Sequence, residues 1–390
     1  MGAKKELPFA FHSRNSRFIL TEIPMTHRAI NFYAGPAGLP LPALERAKEE
    51  LLDFAGTGMS VMEISHRSKE YDAVHEEAIA LTKELMGLPA NYKVLMLQGG
   101  AHLSFGMIPL NLLRGGRKAD YIVTGNWAEK ATKEAKLVGG DNVRVAASTK
   151  DLKFARLPFT SEIKVGPDSS FVHFTSNNTV EGTQWQEFPQ VGGVPYVCDM
   201  SSDFMWRPFD VSPFGLIYGG AQKNLGPSGV TLTIIREDFL EMCEAQDLPS
   251  YLRYKIHAEK NSLYNTPPTF GIYILRNVLA YNKSIGGLKA IEANNRKKGE
   301  LLYGCIDKHP GFFKGFVTEK AHRSLMNVDF FLPNPELDDQ FVKEAKKADM
   351  VGLKGYRDIG GIRVSTYNAV TVDNVKTLVE FMEQFVKTNG

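Results

Sequence analysis

The sequence predicts an α/β protein, with a mainly parallel sheet in a large domain and a smaller C-terminal α/β domain. Between about residues 92 and 235, short apolar runs typical of strands end in Gly, Asp or Lys and alternate with helical stretches. This is the pattern of a doubly wound sheet, whose ligands lie at strand ends. The chain has 390 residues, 43% of them hydrophobic, which is enough for two cores.

The predicted elements divide the chain into four parts. Helices are predicted over residues 42–54, 71–86, 271–281, 287–302 and 372–388, and a strand over 324–331. Proline at position 42 suits the first turn of a helix. We expect a loosely ordered extension over residues 1–28, a segment over 29–41 that packs on the small domain, a large domain over 42–285 and a small domain over 286–390.

One lysine lies in a tight polar turn between two strand-like runs. Lys223 follows the run at 216–218 and precedes the run at 230–235, with glycines on both sides. Glycine lets a flat ligand approach the backbone, and a partly desolvated amine is a nucleophile that can form a Schiff base. Taken alone, such a lysine is more often an ordinary loop residue.

Three other strand ends carry side chains or amides that suit pyridoxal phosphate (PLP). Asp199 ends an apolar run, and a carboxylate beside the pyridine nitrogen keeps it protonated. The run at 94–97 leads through Gly99-Gly100 into a helix start, which is an anion site. Trp127 offers a stacking ring. The alternatives are a helix cap for Asp199, a plain turn at the glycines and a packing role for the indole.

Five blocks of the sequence carry a family resemblance. They are Asn31 to Ala37, Ser60 to Arg67, Tyr218 to Asn224, Tyr264 to Phe270 and Gly360 to Arg363. In order and spacing they resemble the phosphoserine aminotransferases, class V aminotransferases of PLP fold-type I, from about Ile30 to the C-terminus. The resemblance implies a large domain with a mainly parallel seven-stranded sheet and a smaller α/β C-terminal domain.

The same resemblance implies roles for individual residues. The implied catalytic residues of this chain are Lys223 for the Schiff base with PLP, Asp199 for the pyridine nitrogen and Trp127 for stacking. Its further cofactor contacts would be Gly100, Ala101, Thr179 and Gln222 in one subunit, and Asn265 and Thr266 from the neighbouring subunit. A site shared in this way implies a homodimer.

Substrate binding is expected from arginines and histidines, because the substrates carry two anionic ends. The resemblance makes Arg363 the clamp for the α-carboxylate, and the distal anion would be held by His66, Arg67 and Arg357. His102 stands at a helix start, where it either adds positive charge or fills space. Tyr356 departs from the family pattern, which has histidine just before Arg357.

The activity implied is the reversible transamination of 3-phosphohydroxypyruvate with L-glutamate, giving O-phospho-L-serine and 2-oxoglutarate. Action on 4-phosphohydroxythreonine is left open. The alternatives are an alanine–glyoxylate type of aminotransferase, a cysteine desulfurase and a binding module that has lost catalysis. A desulfurase needs a loop cysteine, whereas Cys198 precedes Asp199 and Cys243 and Cys305 lie in helical contexts.

Composition excludes several other classes of protein. The net charge of +2 shows no excess of basic residues of the kind that binds nucleic acids. No apolar run is long enough to span a membrane. Three cysteines without CxxC spacing argue against disulfides and zinc ribbons and fit a reducing compartment. We expect a cytoplasmic enzyme with small-molecule substrates and no bound metal.

Overall fold

The structure is a computed structural model, and it describes residues 27–243 and 247–390. The predicted N-terminal extension lies almost wholly outside the described residues. The helices are α1 (Leu41–Glu50), α2 (Lys69–Met86), α3 (Gly100–Leu112), α4 (Asn126–Gly139), α5 (Glu237–Glu241), α6 (Tyr254–Glu259), α7 (Thr269–Ser284), α8 (Gly287–Lys308), α9 (Pro335–Lys347) and α10 (Val372–Asn389). The strands are β1 (Ile30–Asn31), β2 (Tyr92–Leu97), β3 (Lys118–Val123), β4 (Val143–Ser148), β5 (Ser169–Thr175), β6 (Asn177–Asn178), β7 (Thr183–Gln184), β8 (Tyr196–Asp199), β9 (Phe214–Gly220), β10 (Thr231–Arg236), β11 (Lys314–Gly315), β12 (Asn327–Phe331), β13 (Met350–Val351) and β14 (Ile362–Ser365).

Seven strands form the central sheet, in the order β2-β10-β9-β8-β5-β3-β4. The pairs from β9 through β8, β5 and β3 to β4 are parallel. β10 runs antiparallel to both of its neighbours, so that Leu97 at the end of β2 pairs with Thr231 at the start of β10. The predicted mainly parallel seven-stranded sheet is confirmed.

Helices cover both faces of this sheet. Successive side chains of a strand point to opposite faces, so each buried strand contributes to two cores. In β8, Cys198 belongs to the core that packs against α2, α7 and the start of α8. Its neighbour Val197 belongs to the core on the other face, against α3, α4, α5 and α6. Buried strands of this kind are apolar on both faces, which explains why they were visible in the sequence as continuous apolar runs.

A second core lies in the C-terminal part of the chain. The antiparallel sheet β11-β12-β14 packs there with α8, α9 and α10, around residues such as Phe330 and Leu378. The N-terminal segment joins this core, since β1 pairs in parallel with β13 and Phe32 is fully buried in it. The division of the chain into domains at residue 286 stays a prediction.

Element ends differ from the predicted ones where local chemistry changes. The helix predicted over 42–54 ends at Glu50, and a short 3-10 turn follows in which Ala55 adopts a left-handed conformation with φ 55°. The helix predicted over 287–302 continues to Lys308, and it stops at His309, the residue before Pro310. None of the helices in the described ranges is both long and apolar enough to cross a membrane.

Candidate active site

Lys223 lies in a closed turn between β9 and β10. Main-chain hydrogen bonds hold this turn, from Ala221 N–H to Val230 O at 2.9 Å and from Gly226 N–H to Ala221 O at 2.8 Å. Gly35 of the N-terminal segment packs on the lysine stem, since a Cβ at position 35 would lie 3.3 Å from Lys223 Cγ. The lysine is therefore half-buried on a rigid turn at a sheet edge.

The lysine amine donates a hydrogen bond to Thr179. The distance from Lys223 Nζ to Thr179 Oγ1 is 2.6 Å, and Thr179 lies in the turn between β6 and β7. Burial lowers the pKa of Lys223 to about 8, Asp199 opposes that shift and Arg363 adds to it. The neutral, nucleophilic amine is therefore accessible near neutral pH.

Asp199 ends β8 with a buried carboxyl group that is 3% exposed. Its Oδ1 accepts hydrogen bonds from Ser201 N–H at 2.9 Å and Ser201 Oγ at 2.6 Å. Burial raises the pKa of Asp199, while the Ser201 hydrogen bonds and the charge of Lys223 act against that rise. Its Oδ2 has no hydrogen bond from any described residue, so one carboxylate oxygen is available to a ligand.

Two helix starts lie beside these residues. α3 begins at Gly100, where φ is +66° and a Cβ would meet open space. The N–H groups of a first helical turn have no partner within the helix and can bind an anion. Trp127 lies at the start of α4, with its ring centroid 5.9 Å from Lys223 Nζ, and its buried Nε1 has no partner among the described residues. The exposed His102 meets that indole edge-on, with centroids 5.4 Å apart.

Arg363 approaches the lysine from the second core. It lies on β14 opposite Asp329 of β12, and its charge acts on Lys223, Glu181 and Asp329. Burial raises the pKa of Asp329 well above its usual range. The Arg363 guanidinium lies 5.8 Å from the centre of the Tyr356 ring, and its buried Nε has no partner in the described part of the chain.

No hydrogen bond, ion pair or ring contact between described residues joins the side chains of the other predicted site residues to Lys223. Arg357 is 90% exposed and lies 4.0 Å from Asp358. Arg67 is exposed, and His66 has a buried Nε2 without a partner in residues 27–243 and 247–390. The carbonyl of Thr266 accepts from Gln98 at 3.1 Å. Its neighbour Asn265 donates to the same carbonyl at 3.3 Å, and Gln222 O accepts from Ala37 N–H at 2.9 Å.

Two residues of the site were given no role from the sequence. For Ser201, the spacing Asp199-Met200-Ser201 is a usable signal, because it is typical of an Asx turn. For Glu181, the only signal is that it is the one acid between Ser176 and Gly182. The described residues contain no cluster of metal-ligating side chains.

These groups fit PLP. An amine at Lys223 suits an aldehyde, a carboxylate with a free oxygen suits the protonated pyridine nitrogen, and an indole beside the amine suits a planar ring. The space above Gly100, where a Cβ would meet no atom, lets a phosphate reach the N–H groups of α3.

Comparisons with known proteins agree with this arrangement. A model of the family described as Aminotransferase class-V matches residues 29–378. A phosphoserine aminotransferase of Lysinibacillus sphaericus is 52% identical over 361 residues, 93% of this chain and 99% of the relative. The structure of phosphoserine aminotransferase from Bacillus circulans subsp. alkalophilus is 50% identical with a TM-score of 0.90, over 93% of this chain and 99% of that one. A PLP-bound phosphoserine aminotransferase from Trichomonas vaginalis is 36% identical with a TM-score of 0.86, over 91% of this chain and all of that one. This chain belongs to the class-V aminotransferase family.

Proposed function

We propose that this protein is a PLP-dependent phosphoserine aminotransferase. It exchanges the amino group of L-glutamate with the keto oxygen of 3-phosphohydroxypyruvate, giving 2-oxoglutarate and O-phospho-L-serine, and the exchange is reversible. The observation that carries the proposal is the match to phosphoserine aminotransferases. This chain aligns with almost their whole length and is about 50% identical to them. The Lys223 Nζ of this chain lies 2.6 Å from Thr179 Oγ1.

The cofactor is held by residues from five strand ends, those of β2, β3, β6, β8 and β9. Lys223 bonds to it, Asp199 pairs with its ring nitrogen through Oδ2, Trp127 stacks on its ring and Thr179 donates to its phenolic oxygen. The first turn of α3, at Gly100 and Ala101, binds its phosphate together with Gln222. When bound, PLP supplies an electron sink for the carbon that loses its proton.

Lys223 also moves the proton. With an amino-acid substrate bound, the free Lys223 amine would be the general base that takes the proton from the α-carbon of the substrate and delivers it to the cofactor carbon. Its pKa of about 8, lowered by burial, is close to the working pH at which a general base is most effective. A carboxylate at Asp199 opposite the ring nitrogen would keep that nitrogen protonated, because opposite charges stabilise each other.

The substrate lies between two cationic regions. Arg363 binds the α-carboxylate that all the substrates share, in the bidentate geometry that a guanidinium favours. His66, Arg67, Arg357 and His102 bind the phosphate of phosphoserine and the γ-carboxylate of glutamate. Because Arg357 is almost fully exposed here, its loop must close over the substrate for this contact to form.

A homodimer in the cytoplasm is part of the proposal. Asn265 and Thr266 reach the phosphate of the neighbouring subunit. Exposed apolar side chains, such as Met62 at 55% and Tyr264 at 43% exposure, support burial against a second copy. Mixing a Lys223→Ala variant with an Asn265→Ala/Thr266→Ala variant tests this, because only a mixed dimer with shared sites regains one complete site.

The proposed activity is tested with the wild type and Lys223→Ala. The wild type should show a visible cofactor band that glutamate removes and 3-phosphohydroxypyruvate restores, and the variant should show neither change. Lys308→Ala is a matched control, since Lys308 is exposed at the end of α8, pairs with Glu383 of α10 at 2.9 Å and has no role in the proposed site. A wild type that transaminates glyoxylate or pyruvate but not 3-phosphohydroxypyruvate would identify another class V activity.

The alternatives have less support. Ureidoglycine–glyoxylate aminotransferase shares the fold at 14% identity, which shows the fold alone. Cys198, Cys243 and Cys305 are all buried, and none lies on an exposed loop as a desulfurase requires. A binding module would have no need of Lys223 and Asp199 together.

A further inference from the structure

A buried carboxyl group connects the β6–β7 turn with the start of α4. Glu181 is 3% exposed and lies two residues after Thr179. Its Oε1 accepts the main-chain N–H of Asn126 at 2.8 Å. Gly125, the N-cap residue of α4, has no side chain to cap the helix. Glu181 therefore supplies the missing acceptor from a segment 55 residues further along the chain.

The backbone at the start of α4 leaves room for this carboxyl group. Gly125 is fully extended, with φ 176°, a conformation that any residue adopts. A Cβ at this position would nevertheless lie 2.5 Å from Glu181 Oε2 and 2.6 Å from Asn178 Oδ1. Glycine at 125 is thus required by the approach of Glu181 and Asn178 and not by backbone conformation.

The contact survives a change of protonation state. Burial raises the pKa of Glu181 to about 7, and the charge of Arg363 acts against that rise. A protonated carboxyl group still accepts through its carbonyl oxygen. The hydrogen bond from Asn126 favours the ionised form, so an uncharged amide in the same place should keep the contact in a somewhat weaker form.

We propose that Glu181 is a positioning residue whose carboxyl group fixes the first turn of α4 and thereby holds the Trp127 ring against the cofactor. Trp127 directly follows Asn126, so a shift of the first turn moves the indole. The inference rests on the proposed function, because it assumes a cofactor beside the indole.

The test is the dissociation constant of PLP from the apo protein, followed by visible absorbance. Glu181→Gln keeps an acceptor oxygen and should bind PLP within threefold of the wild type. Glu181→Asp is one methylene too short and should bind about tenfold more weakly, in the range of a lost helix cap. Glu129→Gln removes a charge from the same helix turn, where Glu129 pairs with Lys150, and should change nothing.

A double-mutant cycle separates positioning from general structure. In a Trp127→Ala background, Glu181→Asp should cost less than twofold, because the ring that it positions is gone. Wild-type affinity in Glu181→Asp, or a tenfold loss in both backgrounds, would overturn the proposal. If Glu181→Asp does not fold, Gly125→Ala replaces it, since the added methyl displaces the carboxyl group. Failure of the wild type to bind PLP would refute the proposed function instead.

Discussion

Replacing Thr179 by alanine should lower the pKa of Lys223. Thr179 Oγ1 accepts from the lysine amine at 2.6 Å, and Thr179 is only 4% exposed, so water does not simply take its place. An acceptor stabilises the protonated amine more than the neutral one. Removing the acceptor therefore favours the neutral form.

The size of the shift follows from hydrogen-bond energies. A hydrogen bond to a charged group contributes about 1.5–3 kcal/mol and one between neutral groups about 0.5–1.5 kcal/mol. The difference of about 1–1.5 kcal/mol corresponds to about one pKa unit. Burial already lowers the pKa of Lys223 to about 8, so the variant should titrate about one unit lower.

The rate of PLP capture by the apo protein reports this titration. Only the neutral amine attacks the aldehyde, so the wild-type rate should rise tenfold per pH unit at low pH and level off near pH 8. The Thr179→Ala rate should level off about one unit lower. Loss of a cofactor contact would change the rate at every pH but not the midpoint.

Thr179→Ser keeps the hydroxyl group and serves as the control, with the wild-type midpoint expected. A Thr179→Ala midpoint equal to or above that of the wild type would show that Thr179 does not hold the ammonium form. The midpoint of the wild type itself must lie below that of an exposed lysine, since burial is the main cause of the shift.

Three further predictions concern the ring nitrogen, the substrate ends and stability. Asp199→Asn should keep bound PLP but lose turnover by roughly 10- to 160-fold, the value of one charged hydrogen bond of about 1.5–3 kcal/mol; steady-state assays at saturating PLP measure this, and near-normal turnover would remove Asp199 from the ring nitrogen. Arg363→Lys should lower kcat/KM roughly 10- to 100-fold for phosphoserine, glutamate and alanine alike, whereas Arg67→Lys and Arg357→Lys should leave kcat/KM for alanine unchanged. If all three variants lost kcat/KM equally on all three substrates, the residues that bind the two ends of the substrate would be misassigned. Arg144→Leu should lower the free energy of unfolding, measured by urea denaturation, by about 3–5 kcal/mol, because it leaves the buried Asp120, which Arg144 binds at 2.8 and 3.1 Å, without its cationic partner. Arg156→Leu, whose partner Glu162 is exposed, should lower it by only about 0.2–1 kcal/mol. Similar losses for both variants would contradict the argument.

The sequence predicted those parts of the site that depend on local chemistry. Lys223, Asp199 and Gly100 each follow an apolar run that is buried on both faces of the sheet, and each run ends in residues that break a strand. Parallel strands bring such ends to one edge, so the convergence of these residues needed no knowledge of distant contacts. Thr179 was assigned only through the family resemblance, and the structure places it at hydrogen-bond distance from Lys223.

The parts that were missed depend on contacts between distant segments. The hydrogen bond from Asn126 N–H to Glu181 joins two turns whose order in space is set by the sheet topology, and no periodicity reports it. Arg357 was expected at the substrate, but its side chain is 90% exposed beside Asp358, and its role at the distal anion stays a prediction. The reach of Asn265 and Thr266 depends on a second copy of the chain and stays a prediction.

The pairing of β2 with β10 bears on how the protein is made. Tyr92 pairs with Arg236, so about 140 residues must be synthesised before β2 acquires its neighbour. At a synthesis rate of roughly 5–20 residues per second, the main-chain groups of β2 lack this partner for about 7 to 28 seconds after β2 has been synthesised. During that time it can pair with another nascent chain. The same length of chain delivers Lys223 just before β10 joins β2 to β9, so the nascent protein covers one edge of β2 and gains its reactive lysine within a few seconds of each other.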